Sequence, residues 1–546
     1  MTMIYRPITI ILAILLCTWV HSQDLGPQWS TYMGGAGEDW GRAVAVASDG
    51  TILLAGRTAS TTDMALNGHQ MVHGGGDHDA YMAWSTAEGE LIRATYFGGT
   101  SEDNGHAVAV MADGGAVLVG GTDSPDGIAF NGHQMMHGGA SDGFIARFDA
   151  EGTLIWSTYF GGSDIDVITG VAISEEGEVY ITGYTRSDDG IAPTDAWQGV
   201  RGGGYDGFFA KYDAGGTLQW SSYYGGSDDE FFEGIALGAN GSFLLCGSTH
   251  SVSGMVFNGH QVGHGGSRDA FLAQFNSLGV REWSTYYGGP GYDQGFACAL
   301  SSSGEAYLAG VSSSSTNISD GGHQLMPGGG MDGFLVKFSA TGVRQWGTYY
   351  GGSAYDEVRA VVVGPDGMIN MVGQTGSATG IATSEAFQPV PAGGSEGFVA
   401  RFHPDGGRSW ASYLGGNAGD GAFGIGMHAT GWFAVSGNTQ STSGLATPGA
   451  HQENFGGGGD GFLFRVGSGI GTGIFPKEDA SILYYDPLRK EVHVQHAPAA
   501  ITVYDVKGRV VLRKGPASVF STAGLAPGVY MVRIGHEVRA TRILVP

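Results

Sequence analysis

The sequence predicts an all-β protein: a seven-bladed β-propeller of four-stranded blades followed by a small β-sandwich C-terminal domain. The first observation is a period. Trp29-Ser30-Thr31-Tyr32 before the doublet Gly34-Gly35 returns at Trp156, Trp220, Trp283, Trp346 and Trp410, with Arg93 once in that place, at steps of 64, 63, 64, 63, 63 and 64 residues. A fixed period of this length marks copies of one supersecondary unit. The second is uneven constraint. From the second Gly of each doublet to the Gly of a G-x-[TS] motif (Gly56, Gly120, Gly183, Gly247, Gly310, Gly373, Gly437) the distance is always 21 residues. From the acid opening the third strand (Asp79, Asp142, Asp206, Asp269, Asp332, Glu396) to the next Trp position it is always 14. The length variation falls between strands two and three, because one inserted residue in a strand turns every side chain to the other face. The third is phase. The array opens at Trp29 with a lone fourth strand and ends after Asp460-Gly461-Phe462-Leu463-Phe464 with only a third. An open solenoid starts and stops with whole, capped units. Here Trp29 to Met33 is expected beside Phe462 to Val466, closing the ring and removing exposed sheet edges.

The elements follow in order. Residues 1–22, with Arg6 before the apolar run Ile8 to Val20, have the layout of a secretory signal peptide, and the run is short for a membrane span. Leu16 before Cys17 argues against a lipid anchor. Residues 23–466 are the propeller. In the third copy, Gly170 to Ser174 and Glu178 to Thr185 form one hairpin, and Gly207 to Tyr212 with Thr217 to Tyr224 the second. Four short strands per unit make a propeller blade. Glycine, at 100 of 546 residues, is more than twice its usual share, which suits so many tight turns. Residues 467–473, Gly-Ser-Gly-Ile-Gly-Thr-Gly, are a flexible linker, and 474–546 alternate as the strands of the sandwich.

Charge agrees with that division. Asp24 to Gly469 holds 46 Asp plus Glu against 15 Lys plus Arg, whereas Ile470 to Pro546 holds 6 against 10. So acidic a body repels nucleic acid and anionic membrane. After signal removal no segment is expected to cross a membrane. Cys246 and Cys298, in consecutive repeats, read as small buried hydrophobes, with one disulfide as the alternative.

The motif W-S-T-Y-x-G-G-x3-D, strand-turn-strand to G-x-T, then Q and G-G-x-D-[GA]-F, resembles the bacterial β-propeller repeat family called SBBP over residues 29 to 466. That resemblance implies a propeller in a secreted or surface protein and little about activity. The tail resembles the C-terminal sorting domain of type IX secretion in Bacteroidota, through Leu525-Ala526-Pro527-Gly528-Val529-Tyr530 and Asp505 to Arg509, while Phe475-Pro476-Lys477 departs from the usual Pro-Asn-Pro start. It implies export through the type IX machinery, with the protein then released or held at the outer-membrane surface.

Function is expected on the face that carries the long loops and the G-G-x3-[DE] loops. The acids of those loops are Asp39, Asp103, Asp166, Asp293, Asp356 and Asp420, with Glu230 in the fourth copy. Carboxylates beside glycine carbonyls suit Ca²⁺, but an acid in all seven copies is better read as a side chain that caps its own loop. Three copies carry His pairs, His69 with His73, His133 with His137 and His260 with His264. Paired histidines can ligate a metal; yet the element common to all copies is an aromatic or His before Gln, which reads as a packing anchor. Departures from the repeat are the candidates for a ligand face: Trp40, Trp197, Arg93 and Glu230, along with Trp84, Trp432 and Phe231-Phe232. A Trp such as Trp40 is either a sugar-stacking platform or a wedge between blades. No catalytic triad or phosphate loop assembles from these residues. The expected function is therefore non-enzymatic binding of an extracellular ligand, glycan or protein, or adhesion; the alternative is a carbohydrate-active enzyme or lectin.

Overall fold

The computed structural model describes residues 25–467 and, beyond them, 483–486, 491–494, 499–505, 509–517, 519–521, 525, 528–534 and 541–545. The proposed signal peptide and most of the linker lie outside the described residues. Every regular element among the described residues is a strand. The chain divides into two compact units, Met1–Ile470 and Gly471–Pro546.

The first unit is a seven-bladed propeller with four antiparallel strands per blade. Blade 2 shows the plan: Asp103–Val110, Ala116–Thr122, Asp142–Phe148 and Leu154–Phe160, in sheet order from first to last. The first strands of neighbouring blades meet around a central channel, and fourth strands lie outermost. Blade 7 takes its fourth strand from the other end of the chain. Pro27–Met33 pairs antiparallel with Asp460–Val466, Trp29 opposite Arg465 and Met33 opposite Gly461, as the end phase requires.

Two devices hold the blades in place. On the tight-turn side each repeat Trp wedges under the next blade. Trp156 is buried, donates Nε1–H to the Ala214 carbonyl at 3.1 Å and packs on Gly216, where an added Cβ would lie 2.7 Å from the indole. Trp29, Trp283 and Trp346 make the same bond to Ala87, Ala340 and Pro404. On the opposite side, Gln134 shows how the long loop is clamped. Its amide N–H donates to Asp142 at 3.0 Å and its Oε1 accepts from Gly161 at 3.1 Å, tying the start of strand three to the loop after strand four.

Each first strand carries a β-bulge at one position, such as between Gly41 and Ala43 or Ile168 and Gly170. The bulge accounts for the Gly of G-x-[TS]. At Gly56 a Cβ would sit 1.6 Å from the Trp40 carbonyl oxygen, and at Gly183 1.9 Å from that of Val167. Any side chain there would force the strands apart.

The second unit contains two sheets. One has the order Leu483–Asp486, Glu491–Val494, Val519–Ser521, and the other Val510–Ala517, Ala499–Asp505, Gly528–Ile534, Thr541–Val545.

Candidate functional site

The site is built by the bulges. In each first strand the residue three past the loop acid is the extra residue of the bulge, and it projects into the channel, as bulges commonly re-aim a side chain. Around the seven blades these are Arg42, His106, Thr169, Glu233, Phe296, Arg359 and Phe423, and all seven line one cavity of about 750 Å³. Trp40, Tyr184, Gln374 and Asn438 complete its mouth. The acid three residues earlier varies by one methylene in seven copies, but the bulge position holds five residue types. Repeat symmetry is therefore broken where the chain faces the channel.

The loop acids hold this ring from behind. Asp166 is wholly buried and accepts from Gly162 N–H at 2.7 Å, Ser187 Oγ at 2.8 Å and Thr185 Oγ1. Asp39, Asp103, Asp293, Asp356 and Asp420 repeat the arrangement with the equivalent Gly and hydroxyl pair. Glu230 does the same through Gly226 N–H at 2.7 Å and Thr249 at 2.6 Å. Burial outweighs these donors and pushes Asp103 and Asp166 up to about 6 and Glu230 to about 7.

The channel groups differ in how far the protein satisfies them. Arg359 donates to Glu357 at 2.6 Å and lies 4.1 Å over Phe296. Arg57, next to the mouth, donates to Asn104 at 3.3 Å, faces Glu38 at 3.7 Å and stacks 4.4 Å over Trp40. Trp40 and Phe423 stand with rings within 5° of parallel and centroids 6.3 Å apart. Glu233 accepts from Gln294 at 3.0 Å, and Gln294 in turn accepts from Tyr292, which is held by Arg268 at 2.9 Å. Burial raises the Glu233 carboxyl despite Arg359, Arg268 and Arg42 nearby. His106 Nδ1 lies 2.9 Å from the Ile168 carbonyl, so that nitrogen carries the proton. Burial, with Arg42 and Arg57 beside it, drives this imidazole down to about 3, and it stays neutral. Arg42 lies 5.6 Å over Trp40 and makes no hydrogen bond or ion pair among the described residues.

Of the four ligand-face residues read from the sequence, only Trp40 lines the cavity. Arg93 sits on the tight-turn side, where Gly152 packs on its side chain. The cause is a swap. In six blades strand three sets a long polar side chain opposite the Trp of strand four, for example Arg147 opposite Trp156 and Lys337 opposite Trp346. In blade 1 Trp84 is on strand three and Arg93 opposite it on strand four, 5.8 Å over the indole. Trp84 thus supplies the wedge and packs on Phe148 of blade 2 at 6.2 Å. Trp197 is 44% exposed but lies at the blade 3–4 seam, edge-on to Tyr224 and Phe275 with Arg281 5.0 Å above it. Glu230 is fully buried, so no ligand reaches it. The His pairs do not converge: His69 packs on Phe148, whereas His73 packs on Tyr96 and bonds the Thr58 carbonyl at 3.3 Å. His133 and His137, and His260 and His264, separate in the same way. Cys246 and Cys298 are free, buried thiols. The residues that sequence reasoning missed are Arg42, His106, Thr169, Glu233, Phe296, Arg359 and Phe423. Their signal was present: a hypervariable column three places after a column of acids.

Comparison with known proteins agrees with the fold. A family model described as beta-propeller repeat, SBBP, matches residues 155–191. That match falls within the repeats of blades 2 and 3. The regulatory protein FlaEY of Caulobacter vibrioides is 25% identical over 355 residues, which are 60% of this chain and 36% of that protein. This chain thus spans little more than a third of that relative's length. Among solved structures, a polysaccharide lyase, an ulvan lyase, is similar at a TM-score of 0.42 and 11% identity over 74% of this chain and 92% of its own. The quinohemoprotein alcohol dehydrogenase of Comamonas testosteroni gives 0.33 and 12% over 86% and 80%. At these scores the likenesses transfer no activity to this propeller.

Proposed function

We propose that this chain is a secreted or surface-displayed propeller that binds an extracellular ligand, without turnover, at the channel mouth on the long-loop side. The observation that carries the reading is the bulge ring, seven equivalent backbone positions with divergent side chains in an otherwise uniform repeat. A fold needs the acid, the Gly and the Trp in every copy; it does not need two Arg, a Glu and two Phe in a channel, and distinct polar and aromatic groups converging on one cavity are what a binding site requires. A glycan and protein array probed with the full chain tests this. Binding that is lost in Trp40→Ala and Phe423→Ala, with melting temperature retained, supports it; binding indifferent to both moves the site elsewhere.

A second reading, turnover of a bound saccharide, is favoured by Glu233 alone. Its carboxyl is raised and it lines the cavity, the environment that makes a carboxyl a proton donor. Product release that Glu233→Gln abolishes while binding persists would install it over the first.

Export is proposed through residues 1–22 and then through type IX machinery acting on residues 474–546 as a sorting sandwich. Deleting Ile474 to Pro546 is expected to leave a folded propeller in the periplasm, and normal surface display of the truncated chain would sink the assignment.

A further inference from the structure

We propose that the channel mouth recognises an anionic saccharide, a pyranose whose carboxylate or sulfate sits on Arg42 and whose ring lies against Trp40 and Phe423. This rests on the reading of the mouth as a ligand site and adds the chemistry of the ligand.

Arg42 is the first ground. Arg57 and Arg359, flanking it, are each tied to a carboxylate and are thereby positioned, whereas Arg42 has no such partner among the described residues. Burial and the neighbouring cations Arg57 and Arg359 lower it to about 10 against the opposing charge of Glu233, so it remains charged at neutral pH. An unpaired guanidinium in a confined channel is unfavourable unless an anion completes it, and its planar fork fits carboxylate or sulfate oxygens bidentately. The body of the protein is strongly acidic, with only 15 Lys plus Arg from Asp24 to Gly469. Three of those fifteen meet here, which makes the mouth a local exception to the field around it.

The other groups decide between kinds of anion. His106 is neutral with its proton on Nδ1, which leaves Nε2 as a bare acceptor in the cavity. Thr169 donates its hydroxyl proton to the Phe232 carbonyl at 2.7 Å and so presents lone pairs. Glu233 accepts a hydrogen bond from Gln294 and from no other donor among the described residues. Three acceptors beside the one cation that no carboxylate engages directly match a ligand with one negative group and several O–H donors. A simple carboxylate offers no such donors, inorganic phosphate offers one or two but only on the anion itself, and a zwitterionic amino acid gathers its N–H donors on a single nitrogen. The near-parallel Trp40 and Phe423 supply flat apolar surface for the C–H face of a sugar ring.

The test is calorimetric titration of the full chain with four probes: a hexuronate oligosaccharide, a sulfated galactose oligosaccharide, an uncharged glucose oligosaccharide and a free amino acid. Binding of either anionic saccharide, weakened at least about tenfold by Arg42→Met and again by Trp40→Ala, is expected, with the two anionic arms identifying the acidic group. Because Arg42 makes no hydrogen bond or ion pair among the described residues, Arg42→Met should keep a melting temperature near the native one, and Arg42→Lys should recover part of the loss. Equal affinity for the uncharged probe, preference for the amino acid, or an Arg42→Met chain that binds like wild type overturns the anionic assignment while leaving a ligand site at the mouth. If no probe binds and the array is also silent, the wider reading falls with it.

Discussion

At the residue scale, the seven loop acids are buried and each satisfies a turn N–H and a hydroxyl. Asp166→Ala would orphan the Gly162 N–H and the Thr185 and Ser187 hydroxyls in a fully buried pocket. With each unsatisfied buried group costing roughly 1–3 kcal/mol and hydroxyls partly able to turn, a loss of about 3 kcal/mol is expected in denaturant melts. That exceeds an ordinary exposed cap. Ca²⁺ at millimolar concentration is expected to change the melting temperature little. A stabilisation approaching about 2.7 kcal/mol per site at a hundredfold excess over Kd, abolished in Asp166→Ala, would make these loops calcium sites. Three of these acids and Asp460, which opens the third strand of blade 7, set a pH dependence. Asp103, Asp166 and Asp460 rise to about 6 and Glu230 to about 7, chiefly through burial. Between the unfolded value near 4 and these folded values, the native chain holds protons that the unfolded chain has released. Their contribution is therefore complete below about pH 4 and is lost as pH rises through 6 and then 7, each group removing up to about 1.4 kcal/mol per pH unit. Melting at pH 5 should be higher than at pH 8; a flat or rising profile would contradict the burial argument.

At the element scale, the exchange between Trp84 and Arg93 is a self-contained experiment. Arg93→Trp alone places two indoles opposite one another under blade 2, and Trp84→Arg alone removes the wedge. Each is expected to destabilise by about 2 kcal/mol or more, whereas the double variant restores the pairing of the other six blades. Additive losses in a double-mutant cycle would show that the pair is not coupled. Blade 1 also shows what was legible in the sequence and why the rest was not. Four strands per unit, constant spacings and ring closure follow from position along the chain, and the structure has them. The role of Arg93 did not, because the exchange appears only once strands three and four are set in register, Trp84 opposite Arg93. The bulge ring was hidden for a related reason. A period-two reading of the first strand places residue 42 on the face opposite its actual one, and the inserted residue is revealed only by the carbonyl pressing on Gly56.

At the scale of the whole molecule, the acidic ring, the wedges and the clamps repeat in every blade, so the channel side chains are free to diverge without weakening the scaffold. The closure in blade 7 has a consequence of a different kind. Because Pro27 lies opposite Val466, the place where the propeller chain enters is also the place where it leaves. The ring itself does not mark where its chain begins. A circular permutant, with residues 25 and 467 joined by a short glycine linker and the backbone opened in the tight turn at Asp149 to Gly152, is expected to fold to the same ring with a comparable melting temperature. Failure of that permutant, with the uncut chain folding normally, would show that the Pro27–Met33 strand must be a free end to zip into place last.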